Sequence, residues 1–307
     1  MNWLVLVAIA SISDSLRIFI DNYTSDVYFK GRHAVAQKVF NGWAFPIFSL
    51  VILIITGFNF SGMDVNVALI MVLSGIIHGI ATIPYYRALE LDDSTNIGIF
   101  TQLAPVLFLI FGWFFLDQTF TPIQLIAFVI ILSAPFLIIS TTRKKSRKIK
   151  LKAVLFAFLY VLIAVIGSIV FVKNSTPDQN FVTAITLVLI GKGIADLAII
   201  YTRPKLRKRF YDVYKKSHHK VIRPLIINAV VRVIQQFSYR GALLAAPSVA
   251  IASVASDSSE PIIIFFMGLL FTLIWPKFGR EKLDRKTVLV HLIATILVVV
   301  GIVLLQM

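Results

Sequence analysis

The sequence predicts an all-α integral membrane protein with ten transmembrane helices, arranged as two inverted five-helix repeats. Three observations lead to this prediction: ten apolar stretches at nearly even spacing, basic residues confined to alternate connections, and a short motif that recurs half a chain later. Hydrophobic residues make up 58% of the chain and charged residues only 15%, too few polar groups to cover a water-exposed surface. A bilayer is therefore the expected solvent.

Each apolar stretch is long enough to cross a hydrocarbon core of about 30 Å at about 1.5 Å per helical residue. The ten stretches are Met1–Ile20, Asn41–Phe58, Val65–Tyr86, Ser94–Leu116, Phe120–Ser140, Leu151–Lys173, Phe181–Tyr201, Ile222–Ala245, Ser248–Trp275 and Thr287–Gln306. The first stretch contains Asp14 and Arg17 and has no basic leader. We therefore expect it to be a transmembrane helix and not a cleaved signal peptide.

The basic residues predict the orientation of the chain. The odd-numbered connections hold 25 of the 30 lysines and arginines, whereas the even-numbered connections hold only Lys173. By the positive-inside rule the odd connections are cytoplasmic and both termini are outside, in a multi-pass protein of the bacterial inner membrane. A phosphate-binding patch is the alternative, but lipid headgroups already account for the bias, so no nucleic-acid partner is expected.

A short motif indicates an internal repeat. Tyr86-Arg87 recurs as Tyr239-Arg240, and a proline follows each copy, at Pro105 and at Pro261. Because five helices is an odd number, the second repeat would enter the membrane upside down, which places a substrate site between the repeats near the midplane. Coincidence between short motifs is the alternative. The predicted parts are a first repeat at 1–140, a basic cytoplasmic linker at 141–152 and a second repeat at 151–307.

The same region carries a family resemblance. The stretch Tyr86–Pro105, continuing through Phe111–Asp117 to Thr121–Gln124, resembles the third-to-fifth-helix signature of EamA-type domains in the drug/metabolite transporter superfamily. The second half is similar in layout from Tyr239 to Leu305. The resemblance implies a ten-helix transporter fold in which the first helix commonly lines the pathway, so Asp14 becomes a candidate site residue.

The ninth stretch is the richest in membrane-embedded polar groups. Ser253, Ser256, Asp257 and Glu260 fall within one stripe about 100° wide on a helix, so they share a face. Pro261 lacks a donor and frees the carbonyl of Asp257 four residues earlier. Ionisable groups at this depth are costly unless they are paired or hydrated, so Asp257, Glu260 and Ser253 are candidates for substrate binding or proton coupling.

The eighth stretch presents the opposite charge. Arg232, Gln236 and Tyr239 form one face, with Arg240 beside it. In one reading, Arg232 or Arg240 only neutralises Asp257 or Glu260 and holds the two helices together. In the other, these groups bind an anionic or zwitterionic substrate, and a carboxylate releases a proton as its partner changes.

Three further groups have local explanations. Lys192 and Asp196 are four residues apart and are predicted to pair on one helix face, and Asp14 and Arg17 invite the same interpretation. His78 could shuttle protons, although a lone histidine is more often a hydrogen-bonded packing residue. In the fourth stretch, Gln102 is predicted to share a polar face with Thr95 and Gly98, and Pro105 to free the carbonyl of Thr101.

These features predict a secondary transporter, expected to be an exporter, of small organic metabolites such as amino acids, working by alternating access. Proton coupling is left open. A flippase of a lipid or lipid-linked intermediate is the alternative, because it would use the same fold. Helices 3, 4, 8 and 9 are expected to line a central cavity, in a monomer or homodimer. An enzyme is not predicted, and neither is a cofactor or metal site, since the sequence has no nucleophile motif, metal-ligand spacing or glycine-rich phosphate loop.

Overall fold

A computed structural model describes residues 2–28, 34–91, 100–142, 150–176, 179–202, 204–274 and 285–305. Every regular element within these ranges is a helix. In chain order the helices are α1 (Trp3–Tyr28), α2 (Ala34–Ile55), α3 (Val65–Leu91), α4 (Ala104–Leu116), α5 (Pro122–Thr142), α6 (Leu151–Lys173), α7 (Phe181–Thr202), α8 (Pro204–Ala245), α9 (Val249–Ile274) and α10 (Arg285–Leu304).

Six of these helices are long and apolar enough to cross a membrane, judged by length and composition. They contain the segments Trp3–Thr24, Lys38–Ile55, Val65–Ala88, Leu151–Lys173, Phe181–Thr202 and Val249–Ile274. α4, α5 and α10 contribute shorter apolar segments. The outer faces of α2, α5 and α10 expose rows of leucine, isoleucine and valine, as lipid contact requires. The all-helical membrane fold is therefore supported, whereas ten spans stay a prediction.

α8 is longer than predicted. The sequence placed a basic connection before residue 222, but the helix begins at Pro204 and runs 42 residues through Pro224. Its amino-terminal part carries apolar residues at helical spacing, and Phe210, Val221 and Leu225 pack with buried residues of α2 and α7. The prediction of a plain connection was wrong because this apolar face offsets the basic composition.

α4 is shorter than predicted. A turn at residues 102–103 separates it from the helical residues 100–101, and Pro105 lies in its first turn. Proline is tolerated there because the first amide groups of a helix have no partner in any case. The predicted continuous helix through Thr101 and Pro105 was therefore wrong, and Thr95 and Gly98 lie outside the described residues.

The helices of the two halves are interleaved. α3 packs against α6 and α7, α1 packs against α8 and α9, and α2 packs against α7. α5 lies against α10, and α4 lies between α6 and α9. Adding five to each helix number, with helix 11 counted as helix 1, converts the α3–α6 pair into the α8–α1 pair. Two five-helix repeats would give this regularity, and their inverted orientation stays a prediction.

Glycine brings α3 and α7 into backbone contact. A methyl group at Gly191 of α7 would overlap the carbonyl oxygen of Val72, and one at Gly75 of α3 would overlap the carbonyl oxygen of Val188. Small residues at such positions let helices approach closely in a membrane, where packing replaces the hydrophobic effect as the source of association. This contact fixes α3 against α7 beside the polar centre of the bundle.

Candidate functional site

A chain of charged groups links α1 to α8 inside the bundle. Asp21 of α1 accepts hydrogen bonds from Arg17 Nη1 at 3.2 Å and from Arg232 Nη2 at 2.7 Å. Asn228 Nδ2 donates to the other Asp21 oxygen at 2.9 Å, and its own Oδ1 accepts from Arg232 Nε at 2.7 Å. Arg17 also forms an ion pair with Asp14, so the predicted Asp14–Arg17 pair is confirmed. We call Asp14, Arg17, Asp21, Asn228 and Arg232 the α1–α8 network.

This network corrects one prediction. Arg232 was expected to pair with Asp257 or Glu260 of α9, but its described partners are Asp21 and Asn228. The reason lies in packing, because α8 contacts α1 over much of its length and meets α9 only lightly. Two residues of the network, Asp21 and Asn228, were missed by sequence reasoning. Each lies four residues from an arginine, Asp21 from Arg17 and Asn228 from Arg232, and that spacing could have revealed them.

The charged side chains of the network are not completely buried. The side chains of Asp14, Arg17, Asp21 and Arg232 keep between 18% and 23% of their area exposed. Asn228 beside them is fully buried. Charged groups between apolar helices that still reach solvent require water or a solute next to them. The network is therefore a partly accessible charged surface between α1 and α8.

The carboxylates of α9 lie within electrostatic range of the α1–α8 network. Ser253 Oγ donates to Asp257 at 2.8 Å, as expected for residues on one helix face. Glu260 lies within electrostatic range of Asp14, Arg17 and Asp257, but among the described residues no ion pair or hydrogen bond holds it. Ser11 of α1 donates to the carbonyl of Ser256 at 3.1 Å and ties α1 to α9 at this level.

Aromatic residues complete this region. Tyr85 of α3 and Tyr160 of α6 have ring centroids 4.9 Å apart, and both lie within electrostatic range of Arg17 and Glu260. Tyr239 lies near Asp257 and Ser253. Side chains from α1, α3, α6, α8 and α9 therefore meet around the α9 carboxylates.

Three other predicted site residues have no described hydrogen bond to the α1–α8 network. His78 Nε2 is 3.2 Å from Ser168 Oγ of α6, in agreement with the packing interpretation. Gln236 Nε2 donates to Gln235 at 2.7 Å. Gln102 is buried in the turn before α4, and its Oε1 has no hydrogen-bond partner among the described residues.

The prediction of a Lys192–Asp196 pair was wrong. Asp196 forms an ion pair with Lys38 of α2, at 2.8 Å between Nζ and Oδ1. Both side chains are nearly inaccessible, at 4% and 3% exposed, and Lys38 also donates to the carbonyl of Gly79 at 3.0 Å. The sequence placed Lys38 in a cytoplasmic connection, but α2 begins at Ala34 and carries it into the bundle. Lys192 instead lies over the ring of Phe45, 5.6 Å from its centroid.

Arg240 differs most from its predicted role. Its side chain is 1% exposed and lies 4.6 Å from the ring centroid of Phe171 in α6. None of its three guanidinium nitrogens has a hydrogen-bond partner among the described residues. The predicted pairing with Asp257 or Glu260 is therefore absent from this part of the chain.

A separate groove of about 450 Å³ lies on the α4–α5 side. Its lining is almost wholly apolar and consists of Leu109, Ile110, Trp113, Phe114, Thr119, Phe120 and Leu125. The groove lacks the charged groups that give the centre of the bundle its chemistry, so the candidate site is the polar centre.

Comparisons with known proteins agree with this picture. The model of the EamA-like transporter family matches residues 30–140. One solved crystal structure is similar over 98% of this chain and 95% of its own, with a TM-score of 0.67 and 13% sequence identity. At that identity the likeness supports the fold alone. The comparison with curated proteins gives no match. The resemblance of Tyr239–Leu305 to the same family stays a prediction. Over residues 30–140 the predicted resemblance is confirmed: this is a membrane protein in which that range matches the EamA-like transporter family.

Proposed function

We propose that the protein is a secondary transporter that exports small organic solutes such as amino acids across the bacterial inner membrane by alternating access. One observation carries this proposal: the α1–α8 network presents four charged side chains, each about a fifth exposed, inside a bundle whose outer faces are apolar. A solute pathway needs a charged lining of this kind, since charged groups that faced lipid would be costly. The match to EamA-like transporters supports the same conclusion.

Glu260 is the proposed proton-coupling group. It has no ion pair among the described residues, and the nearby Arg17 is already bound to Asp14 and Asp21. A carboxylate in this situation can exchange a proton with the pathway without breaking an ion pair of its own. Asp257 is held by Ser253 at 2.8 Å and is the second candidate.

Reconstitution into liposomes tests the transporter and its coupling. Uptake of labelled amino acids is measured in exchange mode and under an imposed pH gradient, for the wild type, Glu260→Gln and Asp257→Asn. Glutamine mimics the protonated carboxyl, so Glu260→Gln should retain exchange and lose stimulation by the gradient. Asp64→Asn serves as a matched control, because Asp64 is exposed and asparagine keeps its cap on the amide of Val67.

Two outcomes would contradict the proposal. Gradient-driven uptake that is unchanged in both folded variants would remove proton coupling from α9. Flipping of a fluorescent lipid in the same liposomes, without transport of any amino acid, organic acid or nucleobase, would favour the flippase alternative.

A further inference from the structure

Three basic side chains from three helices lie close enough inside the bundle to interact electrostatically. His78 of α3, Lys192 of α7 and Arg240 of α8 lie within electrostatic range of one another. Neither Lys192 nor Arg240 forms an ion pair with a carboxylate among the described residues. We call these three residues the basic cluster.

Arg240 lacks a counter-charge. Besides His78 and Lys192, its electrostatic neighbour is Tyr239, and no carboxylate contributes. An arginine stays charged in proteins, so this side chain cannot escape the cost of burial by losing its proton. The ring of Phe171 offers a cation–π contact, which returns only part of the lost hydration. All three nitrogens of this guanidinium, which is 1% exposed, lack a hydrogen-bond partner among the described residues. Buried donors are normally paired, so a bound acceptor would satisfy them.

Lys192 and His78 have donor capacity to share. Asp196 is the nearest acid to Lys192 in the sequence, but Lys38 occupies it at 2.8 Å. Lys192 is partly buried, and its ammonium group lies 5.6 Å from the ring centroid of Phe45 with no ion pair among the described residues. The Nδ1 atom of His78 has no hydrogen-bond partner, whereas Nε2 contacts Ser168.

We propose that the basic cluster binds a carboxylate group of the transported solute. A planar guanidinium presents two parallel donors that fit the two oxygens of a carboxylate, and a lysine beside it adds a point charge. The inference rests on the proposed transport function and narrows its substrates to solutes that carry a carboxylate. Arg240 is covered by Phe171 in this conformation. Binding therefore requires the Phe171 ring to move aside, at a cost in its packing against α3 and α7.

Thermal unfolding of the purified full chain tests the site without a transport assay. Sodium acetate and sodium chloride are titrated separately into a buffer whose only other anion is a bulky sulfonate. The variants are Arg240→Met and Lys192→Met, and the matched control is Arg223→Met, an exposed arginine on the same helix. Acetate should stabilise the wild type and the control equally by mass action. Each cluster variant should weaken apparent acetate binding by about 10- to 100-fold, as loss of a charged hydrogen-bond donor does.

The same experiment distinguishes an anion-binding role of Arg240 from a purely structural one. Without acetate, Arg240→Met should unfold at the same temperature as the wild type or higher, because methionine removes an uncompensated buried charge. A lower unfolding temperature for Arg240→Met with an unchanged acetate response would overturn the proposal. Stabilisation by chloride but not acetate, or by neither anion, would also overturn it. Arg240-dependent acetate binding by a protein that transports nothing would keep the site and reject only the transporter proposal.

Discussion

Neutralising Asp21 should weaken the junction between α1 and α8. Asp21→Asn preserves the shape of the side chain but removes the charge that faces both Arg17 and Arg232. It also leaves one oxygen in place of the two that now accept hydrogen bonds from Arg17, Arg232 and Asn228. At least one of these donors would therefore face the amide NH2 group of the new asparagine.

The magnitude follows from the exposure of the pair. Removing one partner of a fully buried ion pair costs about 3–5 kcal/mol. The side chains of Arg232 and Asp21 are 18% and 23% exposed, so water can partly replace the lost partner. We expect the free energy of unfolding to fall by about 2–3 kcal/mol. Because the two groups are in contact, Asp21→Asn and Arg232→Gln should be non-additive, with a coupling energy of about 1–2 kcal/mol.

Equilibrium unfolding in mixed micelles, followed by circular dichroism, measures these values. Asp212→Asn on the exposed surface of α8 is the control and should change the stability by less than about 0.5 kcal/mol. An effect of Asp21→Asn as mild as that of the control would show that this ion pair does not stabilise the α1–α8 junction. Two single effects that sum to the effect of the double variant would show the same.

Other perturbations test separate parts of the structure. Gly191→Ala should push α3 and α7 apart, because the added methyl group meets the carbonyl of Val72. The same unfolding assay should show a loss of about 1–3 kcal/mol. A variant as stable as the wild type would contradict the close approach of the two helices. Lys38→Met should cost about 3–5 kcal/mol by stranding the buried Asp196 carboxylate. Adding Asp196→Leu should restore most of that stability, and a double variant worse than Lys38→Met would argue against the pair.

The sequence predicted contacts between near neighbours better than contacts between halves. Asp14 and Arg17 lie one helical turn apart, as do Ser253 and Asp257, so geometry within a single helix brings them together. The Asp21–Arg232 contact joins residues 211 positions apart, and Lys38 and Asp196 also come from different halves. Such contacts depend on which helices pack and how each is rotated about its axis. Periodicity within one helix does not determine either.

For the same reason the sequence did not predict that Arg240 lacks a carboxylate partner among the described residues. Its motif partner Arg87 is exposed near the end of α3, whereas Arg240 is buried against Phe171. The repeated motif suggested that the two arginines were equivalent. Their difference in burial shows that the two positions are not equivalent.

The interleaved packing of the halves has a consequence for biogenesis. α1 and α3 find their main partners in α6, α7 and α8, so the first half has few of its final contacts when it leaves the ribosome. Until α8 is synthesised, Asp21 lies in or near the membrane without its ion-pair partner Arg232, which is 211 residues away. We expect the nascent chain to stay beside the insertion machinery over this interval, and a truncated first half to be degraded unless the second half is supplied in the same cell.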